Sequence, residues 1–192
     1  MFRDLVIKNR SYRGYNEERK ISREELLELI DLTRYAASSV NAQPLKYYPA
    51  CEKEDLDRIQ PLTGWAKALP QEKLPHEGMC PTAFIIICQD TDINPNLGRY
   101  LKDCGIVAQT ILLGAVEKGL GGIMIGSFNP DRVKEALNLA DNLHPLLIVA
   151  LGEPKEEIVI KEIENGESIK YYRDENDVHY VPKRKLKDII IG

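Results

Sequence analysis

Two basic clusters are the first candidates for chemistry in this chain. Arg10-Ser11-Tyr12-Arg13 lies near the N-terminus, and Lys183-Arg184-Lys185 follows Pro182. Each fits solvated surface charge. Each also fits anion binding, because an arginine fork matches phosphate oxygens and lysine adds a point charge. Ser11 adds a hydroxyl donor. Clusters at opposite ends of one domain can converge on a single phosphate. A third feature is Ser38-Ser39-Val40-Asn41-Ala42-Gln43-Pro44. It reads as a polar loop between a helix and a strand, or as donors and acceptors for a flat heteroaromatic ring. The fourth runs from Gly119-Leu120-Gly121-Gly122 to Gly126-Ser127-Phe128. It reads as a helix stop followed by a bent strand. Glycine also lets backbone approach a ligand closely, which would expose N–H groups near Gly126 and Ser127.

Other chemistries lack their sequence signatures. There is no G-x-x-x-x-G-K-S/T phosphate loop and no G-x-G-x-x-G, and there is no G-x-S-x-G nucleophile elbow. His76, His144 and His179 stand far apart, and each reads as a structural histidine. Cys51, Cys80, Cys88 and Cys104 form no C-x-x-C and no zinc pattern, so no metal is expected. They read as thiols in a reducing, cytoplasmic setting. Trp65 fits either core packing or stacking on a substrate.

The elements that must position these residues follow from local signals. Ser22-Arg23-Glu24-Glu25 is a capping box that opens a helix predicted to stop near Ser38-Ser39. Strands are predicted over 45–50, 82–89, 121–126 and 146–151, with the apolar run Ala83 to Cys88 at the centre. Helices are predicted over 54–60, 96–118 and from Asn129-Pro130 onward. Residues 61–81, punctuated by Pro70, Pro75, Gly78 and Pro81, read as a variable loop. Asn165-Gly166 predicts a hairpin over 157–173. A short helix over 186–190 is expected last.

Together these elements describe one α+β domain over residues 1–192, with a central mixed sheet flanked by helices. Its 192 residues carry 26 basic and 30 acidic side chains. That balance argues against general nucleic-acid binding. No apolar run approaches the roughly 20 residues of a membrane span, and no secretory signal is expected.

The four features, in this order, resemble the nitroreductase family of FMN-dependent flavoproteins. Arg10-Ser11-Tyr12-Arg13-Gly14-Tyr15 is similar to the family's R-S-x-R-x-F/Y motif. Residues 37–44 are similar to its A/P-S-S-x-N-x-Q-P loop, and residues 119–128 to its G-L-G and I-G-x-F segment. Val181-Pro182-Lys183-Arg184 resembles its C-terminal P-x-R element.

The resemblance implies an intertwined homodimer with FMN at the interface. Arg10, Ser11 and Arg184, with Lys183, would hold the phosphate, and Arg13 would face the N1/C2 side of the ring. Ser38, Ser39 and Asn41 would come from the partner subunit, and the backbone of Ile125, Gly126 and Ser127 would approach N5. Arg13 stands where some members have lysine, and residues 61–81 match no motif of the family. The implied activity is hydride transfer from NAD(P)H to a nitroaromatic, quinone or similar acceptor by a ping-pong cycle, with no catalytic side chain beyond the flavin site. Alternatives are a flavin-binding or storage protein without turnover, and a deiodinase-like or flavin-cleaving branch of the same fold.

Overall fold

The architecture is that of a computed structural model, which describes residues 1–66, 69 and 71–192. The proline at position 70, expected to break the loop, lies outside the described residues. The strand β3 (Ala83–Asp90) shows why the sheet is central. An uninterrupted apolar run puts side chains on both faces of a sheet and needs cover on both. Ala83, Ile85 and Ile87 pack with Leu26, Leu29, Val107, Ala108 and Ile111 on one side. Phe84, Ile86 and Cys88 pack with Ile59, Val133 and Leu137 on the other.

The first layer is supplied by α2 (Arg23–Leu32) and α4 (Leu101–Glu117), the second by α3 (Lys53–Ile59) and α5 (Pro130–Ala136). β3 lies between β2 (Leu45–Ala50) and the long β5 (Leu143–Pro154). The free side of β5 pairs with β4 (Gly121–Ile125) and β1 (Tyr15–Asn16). These pairings are antiparallel, and one parallel bridge, Ser11 to Gly122, adds the N-terminal run to β4.

Local capping explains most boundaries. Ser22 Oγ accepts from Glu25 N at 3.2 Å, and the Glu25 carboxylate accepts from Ser22 N at 2.9 Å. The helix ends at Leu32, earlier than expected, because Thr33 Oγ1 bonds back to Ile30 O and Thr33–Tyr35 tightens into a 3₁₀ turn. α4 begins at Leu101 rather than at 96, since Asn94 and Asn96 accept backbone N–H groups two residues on and hold turns there. Gly119 ends α4 at a φ of +75°. Asn129 Oδ1 caps α5 through Asp131 N and Arg132 N. A helix missing from the sequence reading, α1 (Phe2–Lys8), buries none of its residues, so it carries no amphipathic signature.

The C-terminal region corrects one expectation. Glu164 and Glu167 do turn around Gly166, but the flanking strands do not pair with each other. β8 (His179–Arg184) inserts between β6 (Ile158–Ile163) and β7 (Tyr172–Arg173), so the order is β6-β8-β7 and no 157–173 hairpin forms. β6 runs parallel to β8 and β7 antiparallel. Two side-chain groupings favour this order. Tyr172 stacks on Tyr180 with ring centroids 5.0 Å apart, and Arg173 forms a buried ion pair with Glu156.

Among the described residues, no helix is long and apolar enough to cross a membrane. The four cysteines are free thiols. Burial pushes Cys88 up to about 12 and Cys104 up to about 11, as small core hydrophobes rather than nucleophiles.

Candidate functional site

The N-terminal basic run is fixed by its backbone. Arg10 donates from Nη2 to Val6 O at 2.9 Å, against the end of α1. Tyr12 N donates to Gly122 O at 3.2 Å, which lays the run along β4. The Tyr12 ring occupies the space above Gly121, where a Cβ would come within 2.5 Å of it. A side chain at 121 would therefore displace the run. Arg13 is then drawn inward, with only 7% of its surface exposed. Its Nη1 donates to Ser11 O at 3.0 Å, and its backbone N donates to the Glu156 carboxylate.

The second basic cluster arrives on β8. Strand alternation puts His179, Val181 and Lys183 on one face. Together with Asn9, Arg10, Ser11, Arg13 and Tyr171 they line a cavity of about 260 Å³. Arg184 falls on the opposite strand face and does not line this cavity, so Lys183, not Arg184, meets Arg10, Ser11 and Arg13 there. The alternation decides which basic residue of the cluster reaches the cavity.

The electrostatics of this cavity are one-sided. Arg10, Arg13 and Lys183 bring positive charge, and among the described residues that line it there is no carboxylate. His179 is 1% exposed, and its Nε2 lies 3.4 Å from Arg13 Nη1. Burial, then the Arg13 and Arg173 guanidiniums, push its pKa down to about 4, so the ring is neutral at pH 7. The Arg13 guanidinium carbon sits 5.0 Å from the Tyr171 ring centroid, and Tyr171 lies 5.3 Å from His179. Arg10 Nε, Arg13 Nε and His179 Nδ1 are buried without a hydrogen-bond partner. Such groups are rare because each costs about 1–3 kcal/mol.

Ser38 and Asn41 line a different cavity, of about 240 Å³, with Tyr47 and Asp103. Here the hydroxyls are already engaged. Ser38 Oγ donates to Asp103 Oδ2 at 2.8 Å, and Ser39 donates from N and from Oγ to the same carboxylate at 2.8 and 2.7 Å. Burial would raise the Asp103 pKa, but these bonds to Ser39 and Ser38 outweigh it and hold the carboxyl below its ordinary value. Asn41 is exposed, and its Oδ1 accepts from Gln43 Nε2. Val40, Asn41 and Gln43 all have positive φ, which holds this loop in a sharply bent form.

Ile125, Gly126 and Ser127 line neither cavity. Ile125 is buried at the end of β4, Gly126 is exposed with no atom within 4 Å of a Cβ position, and Ser127 O accepts from Gly64 N at 2.7 Å. The chain thus unites Arg10, Ser11, Arg13 and Lys183, and leaves Ser38, Ser39 and Asn41, Ile125 to Ser127, and Arg184 outside that cavity. Trp65 packs against the second core cluster and donates from Nε1 to Thr63 Oγ1 at 2.8 Å.

His179, Tyr171, Glu156 and Asp103 were not among the expected site residues. His179 had a readable signal: it stands four residues before Lys183, on the same face of one strand.

Residues 6–153 match the sequence model of the nitroreductase family, and the chain belongs to that family. A protein of Archaeoglobus fulgidus, provisionally named NADH dehydrogenase/NAD(P)H nitroreductase, is 27% identical over 162 residues, covering 80% of this chain and 85% of that one. A nitroreductase family protein of Clostridium difficile superposes with a TM-score of 0.62 at 28% identity, covering 80% of this chain and 84% of its own. An NADPH:FMN oxidoreductase of Vibrio harveyi, solved with NAD+, gives a TM-score of 0.63 at 25% identity, covering 81% and 69%. The family match ends at 153, so Tyr171, His179 and Lys183 lie beyond it.

Proposed function

We propose that this protein is an FMN-dependent oxidoreductase that takes hydride from NAD(P)H and delivers it to a nitroaromatic, quinone or similar acceptor, as a homodimer. One observation carries the reading. In a chain of the nitroreductase family, Arg10, Ser11, Arg13 and Lys183 meet on one cavity whose buried donors lack partners. Those residues fit the phosphate end of FMN. When bound, FMN supplies the two-electron chemistry, accepting and releasing hydride at N5.

The chain's own residues then have distinct tasks. Arg10, Ser11 and Lys183 bind the phosphate. Arg13, held by Ser11 O and by His179, presents a fixed cation where negative charge develops on the ring. Gly126, open on its Cα side, lets backbone at the end of β4 approach the ring edge. Ser38, Ser39 and Asn41 act from the partner subunit. Since the Asp103 carboxylate already takes the serine hydroxyls and Ser39 N, the Asn41 side-chain amide is what the loop presents. Hydride donor and acceptor would use the bound flavin in turn, which would be the ping-pong order.

The test is a visible spectrum of the purified protein before and after anaerobic NAD(P)H. A flavin spectrum that bleaches supports the reading. A flavin spectrum that stays unchanged with both nicotinamides favours binding without turnover. Absence of a flavin band after reconstitution with FMN sinks the proposal.

A further inference from the structure

We propose that His179 is a binding residue of the Arg10–Arg13 cavity, donating its Nδ1–H to an oxygen of a bound phosphate group. The C-terminal sheet, outside the family match, thereby supplies one wall of an oxyanion cradle. This rests on the flavin reading for the identity of the phosphate, but not for its chemistry.

The tautomer follows from the neighbours. Arg13 has only donors, so the His179 Nε2 that faces it at 3.4 Å must accept. In a neutral ring the single proton then sits on Nδ1. That atom is buried and has no protein partner, and the residue lines the cavity. A buried N–H next to two guanidiniums finds its complement only in an acceptor from outside the chain. Arg10 Nε is likewise buried without a partner, and Arg10 lines the same cavity.

The placement is also anchored. Glu156 accepts from Arg13 N and from Arg173 of β7, and both members of the ion pair are almost fully buried, at 2% and 4% exposure. His179 N donates to Glu157 O at 2.9 Å. The same short segment therefore fixes the N-terminal run and the strand that carries His179. Tyr171 covers the Arg13 guanidinium and limits its rotation.

The experiment compares FMN with riboflavin, which lacks the phosphate, on the full chain stripped of ligand. His179→Leu should lower the preference for FMN over riboflavin by about tenfold, within the range of a hydrogen bond to a charged group. His179→Asn, which keeps a donor, should retain most of it. An unchanged preference in a folded His179→Leu protein overturns the proposal.

A second readout needs no variant. The ¹⁵N-correlated Nδ1–H resonance of His179 in the wild-type protein should move with FMN and with inorganic phosphate, but not with riboflavin. If FMN does not bind while inorganic phosphate moves the resonance, the cradle stands and the flavin reading falls. If FMN binds and the resonance stays still, the inference about His179 is wrong. A resonance unmoved by both FMN and inorganic phosphate overturns it as well.

Discussion

The cavity at the Ser38–Asn41 loop and the cavity at the N-terminal run are opposites. At the loop of Ser38 and Ser39, two hydroxyls and a backbone N–H all close on the Asp103 carboxylate, so the polar groups satisfy one another. Between the N-terminal run and β8, buried donors on Arg10, Arg13 and His179 have no partner. Both cavities are of similar size, about 240 and 260 Å³. Size therefore does not separate them, but the state of their hydrogen bonds does. A site that satisfies itself shapes a surface, and a site that leaves donors unpartnered is shaped for something else to bind.

That contrast can be broken most forcefully through the platform under the unsatisfied cavity. Arg173→Leu leaves Glu156 buried without its ion pair, and should cost about 3–5 kcal/mol in a urea denaturation. Next comes acid. The folded His179 titrates at about 4, below its unfolded value, so the unfolded chain binds more protons between these pH values. Stability should fall as pH drops from roughly 6.5 toward 4, by up to about 1.4 kcal/mol per pH unit from this group. His179→Leu should remove that part of the slope, and an identical slope in the variant contradicts the assignment.

The next pair of changes separates the cavities directly. Arg10→Ala should weaken FMN binding by about 1.5–3 kcal/mol, read by fluorescence titration, with little effect on unfolding. Asp103→Asn should do the reverse: a stability loss of about 1.5–3 kcal/mol and no change in the response to inorganic phosphate. The smallest effect tests strand alternation. Arg184→Ala should change FMN affinity by less than about 0.5 kcal/mol, the size of an ordinary surface change, while Lys183→Ala weakens it clearly. Equal effects would mean that both residues reach the ligand.

Much of this was legible because it is local. The Ser22 box, the Ala83 to Cys88 run and the Asn129 cap each act within a few residues, and each forms where the sequence indicates. The basic run at 10–13 and the cluster at 183–185 were readable as residue types. Their meeting was legible only through the family resemblance, since it depends on β8 lying beside the N-terminus. Likewise Asp103 stands 65 residues from Ser38, and no spacing rule joins them. The misread hairpin has the same origin. Asn165-Gly166 makes its turn, but β8 competes for both flanking strands and wins. The motif names both Lys183 and Arg184, and the period of two in His179–Arg184 sets only Lys183 on the face of His179.

The union of residues 9–13 with 171–183 in one cavity has a consequence for the chain as it is made. Ribosomal synthesis delivers the sheet core early, and it can fold as it emerges. The proposed anion site cannot form until Lys183 has left the exit tunnel. A ligand held there adds its binding energy to the completed fold alone, since mass action rewards only states that can bind. A nascent or prematurely terminated chain ending before β8 keeps its apolar sheet and loses the capacity to be rescued by ligand. Occupancy of this site would thus distinguish a chain that includes β8 from one that stops before it.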